Sequence, residues 1–339
     1  MDQLLRTRLT DSYGVAHPIA QAGMAFASMT PALPITSCNA GAIGAFGCGK
    51  LPAFVVKSFI ESISAGVGNK PFNINFITIF TEDSHIDVCA EMKVPIVSFH
   101  WGHPSKAWID KLHAAGCKVW EQVGSVEAAR VAVGDGVDLV VAQGDEAGGH
   151  NYGSMGTFAM VPAVVDAVGN DALVLASGGI ADGRGLAAAL SLGADGAWVG
   201  TRFVASNEAY SREDYKAALV AASGEDTVKT GIYGPDHAGF NPIRVLRTDL
   251  VREWGDRLQD VPTDLAGLEH FGQLTFGELQ LPVHKFTNLV PTPDTTGPLG
   301  EMPLLAGAGV GLVHDIRPAA DIIDTMVTDA AAHLRRVLS

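Results

Sequence analysis

The sequence predicts an α/β protein built on one (β/α)8 TIM barrel, with a mainly helical lid or substrate segment appended to it. Three observations lead to this fold. Short apolar runs recur about every 20 to 35 residues, a helical pattern follows each run, and the runs number eight. Eight consecutive strand and helix units predict a closed parallel barrel, because an open doubly wound sheet has fewer strands and a G-x-G-x-x-G fingerprint after the first. The sequence has no such fingerprint.

The predicted strands are short, rich in Val, Ile, Ala or Phe, and followed by glycine or a polar residue. In chain order they are HPIAQAG (17–23), AIGAFG (42–47), PFNINF (71–76), VPIVSFH (94–100), KVWEQV (118–123), LVVAQG (139–144), LVLASGG (173–179) and GAWVGTRF (196–203). The stretches between them, such as SVEAARVAVGDG, repeat apolar residues at helical spacing and end in glycine, the preferred residue just after a helix.

The chain divides into three parts. Residues 1–205 hold the eight units and form the predicted cofactor-binding barrel. Residues 206–305 are weakly periodic and rich in proline, so we expect a lid or substrate segment there. Residues 306–339 end in IRPAADIIDTMVTDAAAHLRRVL, whose 3.6-residue periodicity predicts a helix that packs back on the barrel or on a neighbour.

Composition limits the partners of the protein. The chain has 339 residues and a formal net charge of −14, and such a charge repels nucleic acid and anionic membrane surfaces. The N-terminus is polar and lacks an apolar leader, so we expect a cytoplasmic protein with small-molecule ligands. Homo-oligomerisation is left open.

Metal binding is not expected. The 11 histidines include no H-E-x-x-H motif, and the pair His100 and His103 lacks a third ligand at recognisable spacing. The four cysteines form no C-x-x-C and lie in or beside apolar segments, as reduced core cysteines do.

A phosphate site is predicted at the ends of the seventh and eighth strands. ASGGIADG supplies Ser177, Gly178 and Gly179, and VGTRF supplies Gly200 and Thr201. Both loops expose backbone N–H groups, a helix start is expected after the Gly178–Gly179 turn, and these two loops are the usual phosphate site of the barrel.

The run QGDEAGGH follows the sixth strand and carries the candidate general base. Gly148 and Gly149 let the backbone approach a flat ligand and place His150 on the rim, where an imidazole can exchange protons near neutral pH. Asp145 and Glu146 either orient that imidazole or cap the next helix. Capping is favoured for Asp145, and the role of Glu146 is left open.

Several other strand ends carry residues suited to a polar, aromatic cofactor. Uncharged amides are costly to bury without partners, so they indicate donors and acceptors for a heterocycle. Apolar side chains at the same level either wall such a ligand or belong to the upper core. The amides are Gln21, Asn75, Gln122 and Gln143, and the remaining candidates are Gly23, Met24, Phe99, His100 and Trp101.

The motifs PIAQAGMA, PFNINF, VSFHWG, QGDEAGGH, ASGGIADGRG and VGTRF, in this order, closely resemble the nitronate monooxygenase family. The resemblance covers nearly the whole chain and includes the late run LLAGAGVGLVHDI. It implies an enzyme that binds FMN without a covalent bond and oxidises alkyl nitronates with O2 to a carbonyl compound and nitrite. Some members of the family also accept neutral nitroalkanes.

The resemblance also implies individual roles. His150 would remove the proton α to the nitro group, a step that an anionic nitronate does not need. Gly179, Gly200 and Thr201 would hold the FMN phosphate. The residues around the isoalloxazine and ribityl chain would be Gln21, Gly23, Met24, Asn75 and Gln122.

Two other functions fit the same motifs. FMN-dependent, NAD(P)H-using enoyl reductases and quinone reductases share E-A-G-G-H and GGIADG, although FHWGHP after the fourth strand favours the monooxygenases. A barrel that only binds flavin or phosphate would explain the glycine loops without a role for His150. A Schiff-base aldolase is set aside, because no lysine stands at a predicted strand end.

Overall fold

A closed barrel of parallel strands forms the centre of the computed structural model, which describes residues 3–265, 267–277 and 279–338. Neighbouring strands pair in parallel, β1 pairs with β9, and a bridge between Ala20 and Ile43 joins β1 to β2. The barrel strands are β1 (Ile19–Gln21), β2 (Gly44–Gly47), β3 (Phe72–Ile77), β4 (Ile96–His100), β5 (Lys118–Val123), β6 (Leu139–Gln143), β8 (Leu173–Ser177) and β9 (Gly196–Val199), while the two-residue β7 (Gly149–His150) lies outside the barrel sheet. The predicted barrel is confirmed.

Helices surround the barrel and follow its strands. Several start at the side-chain caps that the sequence offers: Ser105 and Ser125 each accept a hydrogen bond from a backbone N–H of the first turn. The helices are α1 (Arg8–Tyr13), α2 (Ala32–Asn39), α3 (Ala53–Val67), α4 (Asp83–Glu91), α5 (Lys106–Ala114), α6 (Val126–Gly134), α7 (Thr157–Val168), α8 (Gly183–Ser191), α9 (Thr201–Val204), α10 (Glu213–Ala221), α11 (Asp249–Trp254) and α12 (Ala319–Leu338).

The alternation of side chains along each strand gives the barrel two apolar layers. On β4, Ile96 points into the barrel and the next residue, Val97, faces the helices. On β5, Trp120 points into the barrel and the preceding residue, Val119, faces the helices. Because successive side chains of a strand alternate between the two layers, the same alternation decides which side chains at the strand ends can reach a ligand above the barrel.

The structure of the 206–305 segment differs from the prediction, because the segment is not mainly helical. Its described residues combine α10, α11 and short 3-10 helices at Gly224–Asp226, Pro235–Phe240, Leu258–Asp260 and Leu299–Glu301 with four strands: β10 (Thr227–Thr230), β11 (Ile243–Leu246), β12 (His270–Phe276) and β13 (Leu279–His284). β10 pairs with β11, which also pairs with β7, and β12 pairs with β13 as a hairpin. β10 and β11 have four residues each and show too few alternating residues to reveal them, whereas HFGQLTF in β12 does not alternate regularly and LQLPVH in β13 contains a proline.

The C-terminal helix α12 packs on the outside of the barrel against α8 and α2. Its buried face carries Ile322, Ile323 and Met326, which lie in one apolar cluster with Leu33 and Leu186. No helix in the described ranges combines the length and the hydropathy needed to cross a bilayer.

Candidate active site

A cavity of about 510 Å³ opens at the carboxyl ends of the barrel strands. Its volume falls within the range of about 300–1,000 Å³ that is typical of small-molecule sites. Most of the residues proposed from the sequence come together here. They are Gly23, Met24, Asn75, His100, Gln122, Gln143, Gly148, Gly149, His150, Ser177, Gly178, Gly179, Gly200 and Thr201.

Gln21 and Phe99 do not line the cavity, which corrects their predicted roles. The fully buried Gln21 accepts a hydrogen bond from the backbone N–H of Ala45 through Oε1 at 3.0 Å, so its amide joins β1 to β2. Phe99 alternates with inward-facing neighbours on β4, so it lies in the outer layer, where its ring stacks at 6.2 Å on both Phe76 and Trp108.

Trp101 lies behind His150 and not in the cavity lining. Its backbone adopts a left-handed φ of +61°, and its indole Nε1 donates a hydrogen bond to the carbonyl of Gly239 at 2.8 Å. The indole ring meets the rings of His150 and Phe240 edge to face at 5.7 and 5.3 Å. Trp101 therefore positions the imidazole of His150, which corrects the prediction of a direct place in the substrate pocket.

The predicted phosphate loops after β8 and β9 form one wall of the cavity. Gly178 and Gly179 have φ angles of +109° and +73°, and a Cβ on Gly178 would lie 2.7 Å from Oγ1 of Thr157. Thr201 begins α9, and its Oγ1 accepts a hydrogen bond from the backbone N–H of Gly307 at 3.0 Å. The turn therefore requires glycine, and the backbone of 306–339 completes this wall.

The helix start at this wall differs from the predicted one. α8 follows the Gly178–Gly179 turn, but its first turn is occupied by the carboxylate of Asp182, which accepts a hydrogen bond from Gly185 N–H at 3.0 Å. Asp182 does not line the cavity. The helix start that borders the cavity is that of α9, at Gly200 and Thr201.

His150 has a defined tautomer. A carbonyl oxygen can only accept, so the 2.6 Å contact between Nδ1 of His150 and the carbonyl of Phe240 places the proton on Nδ1. Burial lowers the pKa of His150 to about 3, so the ring is neutral, and Nε2 keeps a free lone pair. The imidazole also stacks on the Phe240 ring at a centroid distance of 3.3 Å.

Of the two acidic residues in the loop before His150, Glu146 and not Asp145 caps the next helix, which corrects the prediction for Asp145 and decides the role left open for Glu146. Glu146 caps α7, because its carboxylate accepts hydrogen bonds from the N–H and hydroxyl of Thr157 at 2.6 and 2.8 Å. Asp145 instead binds Lys229 at 2.9 Å and Arg244 at 2.8 Å, on β10 and β11. Neither carboxylate contacts the imidazole of His150 among the interactions of the described residues. The 206–305 segment is therefore tied to the loop that carries the imidazole.

Comparison with known proteins agrees with the motifs and geometry of this site. The family model for nitronate monooxygenase matches residues 67–329. The chain belongs to the nitronate monooxygenase family. A probable nitronate monooxygenase of Staphylococcus saprophyticus is 33% identical over 306 residues, which cover 76% of this chain and 84% of that protein.

Other similar proteins match almost the whole length of the chain described here. A 5-hydroxy-7a-methyl-1-oxo-octahydro-1H-indene-4-carboxyl-CoA dehydrogenase of Rhodococcus jostii is 32% identical, over 96% of each chain. The structure of FabK from Thermotoga maritima has a TM-score of 0.82 and 34% identity over 98% of each chain. Nitroalkane oxidase from Streptomyces ansochromogenes has a TM-score of 0.77 and 27% identity, over 98% of this chain and 99% of that chain. The protein is thus an oxidoreductase of a flavin-dependent family.

The buried amides of this family member suit a flavin. Gln143 donates through Nε2 to the carbonyl of His150 at 3.2 Å, while its Oε1 is buried without a partner in the described part of the chain. A buried acceptor without a donor is costly, and the N–H group of an isoalloxazine ring would satisfy it. Asn75 is held by a 2.8 Å hydrogen bond to Ser98, and Gly23 leaves room beside it, because a Cβ there would overlap Asn75.

Sequence reasoning missed part of the cavity wall. Lys50 follows β2, and its ammonium lies 4.2 Å from the centroid of the Phe80 ring at the cavity. A further group of missed residues is mainly apolar and comes from the 206–305 segment, where no local signal identifies them. They are Tyr215, Phe240, Ile243, Leu274, Phe276, Leu281, Asn288, Leu289, Val290 and Leu305.

Proposed function

We propose that the protein is an FMN-dependent enzyme that oxidises alkyl nitronates with O2 to a carbonyl compound and nitrite. Neutral nitroalkanes would enter the same reaction after His150 removes the proton α to the nitro group. The observation that carries this proposal is the orientation of His150, whose Nδ1 proton is held by the Phe240 carbonyl at 2.6 Å while Nε2 stays free.

The residues present would hold FMN in two places. Backbone N–H groups of the loops at Gly178, Gly179 and Gly200, together with Thr201, would bind the phosphate, a role supported by their place in the cavity lining and the positive φ of Gly178 and Gly179. Gln143, with its unpartnered Oε1, would bind the edge of the ring system. FMN, when bound, supplies the electron transfer between substrate and O2.

His150 would act on the substrate as a neutral base. Its Nε2 lone pair takes the proton from the α carbon, and the bond from Nδ1–H to the Phe240 carbonyl stabilises the imidazolium that forms. Ile243 and Leu305 give this part of the cavity an apolar lining. A preformed nitronate has already lost the proton, so its oxidation would not require His150.

A second candidate is an NAD(P)H-linked oxidoreductase of thioesters. It is favoured by one observation: relatives named as an indene-4-carboxyl-CoA dehydrogenase and as FabK match 96% and 98% of this chain. In this function His150 would move a proton to or from the carbon next to a thioester, with the same Nε2 atom.

Oxygen consumption by the purified, FMN-loaded protein tests the proposal. Propyl nitronate without pyridine nucleotide is compared with NADH or NADPH plus either a quinone or crotonyl-CoA. Rapid oxygen uptake with nitrite release on nitronate alone is the expected result. Flavin reduction by NAD(P)H only, with no nitronate-dependent uptake, would move the protein to the second candidate.

A further inference from the structure

His100 presents a second imidazole to the cavity that holds His150. The amide Nε2 of Gln122 lies 2.6 Å from Nδ1 of His100. An amide nitrogen can only donate, so Nδ1 of His100 accepts, and the ring proton sits on Nε2. Nε2 of His100 has no partner among the hydrogen bonds of the described residues, and it is available to a ligand.

Both imidazoles are neutral at physiological pH. Burial lowers the pKa of His100 to about 4. Burial also lowers the pKa of His150, and a positive charge on His100 would lower it further, so the two rings interact. The two tautomers are opposite. His100 offers an N–H donor from Nε2, whereas His150 offers a lone pair from the same ring position.

The end of β4, which carries His100, and the loop that follows it are held from both faces of β5. On the inner face Gln122 binds His100, and on the outer face the buried carboxylate of Glu121 binds Nδ1 of His103 at 2.8 Å. Asp135 binds the other nitrogen of His103 at 3.0 Å, and Thr78 donates to the His100 carbonyl at 3.1 Å. Such support keeps a donor in one orientation before the substrate arrives, which is the condition for electrostatic catalysis.

We propose that His100 is a second catalytic residue, which donates a hydrogen bond from Nε2 to an oxygen of the substrate nitro group. This inference rests on the proposed function. When the α C–H bond breaks, its proton goes to Nε2 of His150 and its electron pair forms the C=N bond of the nitronate. The N=O π electrons move onto oxygen, where the His100 N–H stabilises the new negative charge.

The first test measures the tautomers and does not depend on activity. Two-bond ¹H–¹⁵N correlation spectra of the FMN-loaded protein, labelled with ¹⁵N-histidine, are recorded near neutral pH. His100→Gln and His150→Asn assign the two signals. We expect the Nε2–H form for His100 and the Nδ1–H form for His150. An Nδ1–H form for His100, with Gln122 turned so that its oxygen accepts, would overturn the proposal.

The second test separates a donor from a packing residue by kinetics. His100→Leu removes the donor, His100→Gln keeps an N–H at a similar reach, and His333→Leu on α12 is the matched control. With nitroethane, kcat should fall about 10²- to 10³-fold for His100→Leu, the usual effect of removing one oxyanion donor, and recover in part for His100→Gln. With ethyl nitronate, whose charge already exists, KM should rise with little change in kcat.

The outcomes distinguish this inference from the proposed function. Wild-type turnover of ethyl nitronate tests the proposed function alone. If it occurs and His100→Leu retains the wild-type kcat on nitroethane, the role of His100 is refuted and the proposed function stands. If the wild type oxidises no nitro compound, the proposed function fails. His100 is then judged by the same variants with NADPH and crotonyl-CoA, whose thioester oxygen takes the place of the nitro group.

Discussion

The two walls of the cavity are built in different ways. The wall after β8 and β9 consists of backbone: Gly178 and Gly179 adopt positive φ angles, and Gly200 leads into α9. Another part of the lining, the imidazole wall, carries His100 and His150, each oriented by a partner far away in the chain or on another strand. Phe240 fixes His150 across 90 residues, and Gln122 fixes His100 across 22.

This difference separates two kinds of information. A backbone wall is specified locally, since glycine at a given place in a strand-to-helix loop already dictates the conformation. An imidazole wall is specified by which atom meets each ring nitrogen. For His150 that atom belongs to Phe240 in the 206–305 segment, and for His100 it belongs to Gln122 on β5. Mutations should therefore separate cofactor binding from proton transfer.

The largest expected effect belongs to the imidazole wall. His150→Asn should lower turnover of neutral nitroalkanes by about 10²- to 10⁴-fold, because the general base is lost. FMN content and oxidation of preformed nitronates should stay close to wild type. Steady-state oxygen uptake with nitroethane and with ethyl nitronate measures both. Equal loss on the two substrates would contradict the assignment of His150 as base.

On the backbone wall, Gly178→Ala should raise the Kd for FMN at least about tenfold. The new Cβ would meet Thr157 Oγ1 at 2.7 Å, and φ of +109° is unfavourable for alanine. Titration of the FMN-free protein with FMN, followed by flavin fluorescence, gives the Kd. Gly134→Ala on α6 is the matched control, since open space surrounds that position. An unchanged Kd for Gly178→Ala would remove the phosphate role from this turn.

Asp145 tests the link between the 206–305 segment and the imidazole wall. Asp145→Asn leaves Lys229 and Arg244 without their carboxylate partner, so the free energy of unfolding should fall by about 1–3 kcal/mol. Nitroethane turnover should fall several-fold, because β11 also supports His150. Urea denaturation measures the stability. Asp110→Asn, in an exposed pair with Lys106, should change it by less than about 0.5 kcal/mol.

The smallest effect is expected from pH. A base loses activity when it is protonated, which happens below its pKa. Burial lowers the pKa of His150 to about 3, so kcat/KM for nitroethane should vary less than about twofold between pH 5.5 and 7.5. Initial rates with freshly dissolved nitroethane give the profile. An acidic limb near pH 6.5 would show that His150 keeps an ordinary imidazole pKa.

Much of the fold was predictable because the barrel repeats one local pattern. The strand prediction at 118–123 coincides with β5, whereas the last predicted strand, 196–203, stops at Val199 because α9 begins at Thr201. β10 and β11 escaped prediction, since they lie outside the repeating strand-and-helix pattern by which the equally short β2 and β9 were recognised. Their partners were also out of reach, because β11 pairs with the distant β7.

The sequence by itself determined the barrel, the glycine loops and the position of His150 at a strand end, because periodicity and glycine act through local backbone conformation. Tertiary structure alone decided that Gln21 and Phe99 turn away from the cavity, that Glu146 and not Asp145 caps α7, and which nitrogen of each imidazole carries the proton. The physical reason is that a side chain's role depends on the atoms around it, and distant parts of the chain supply those atoms.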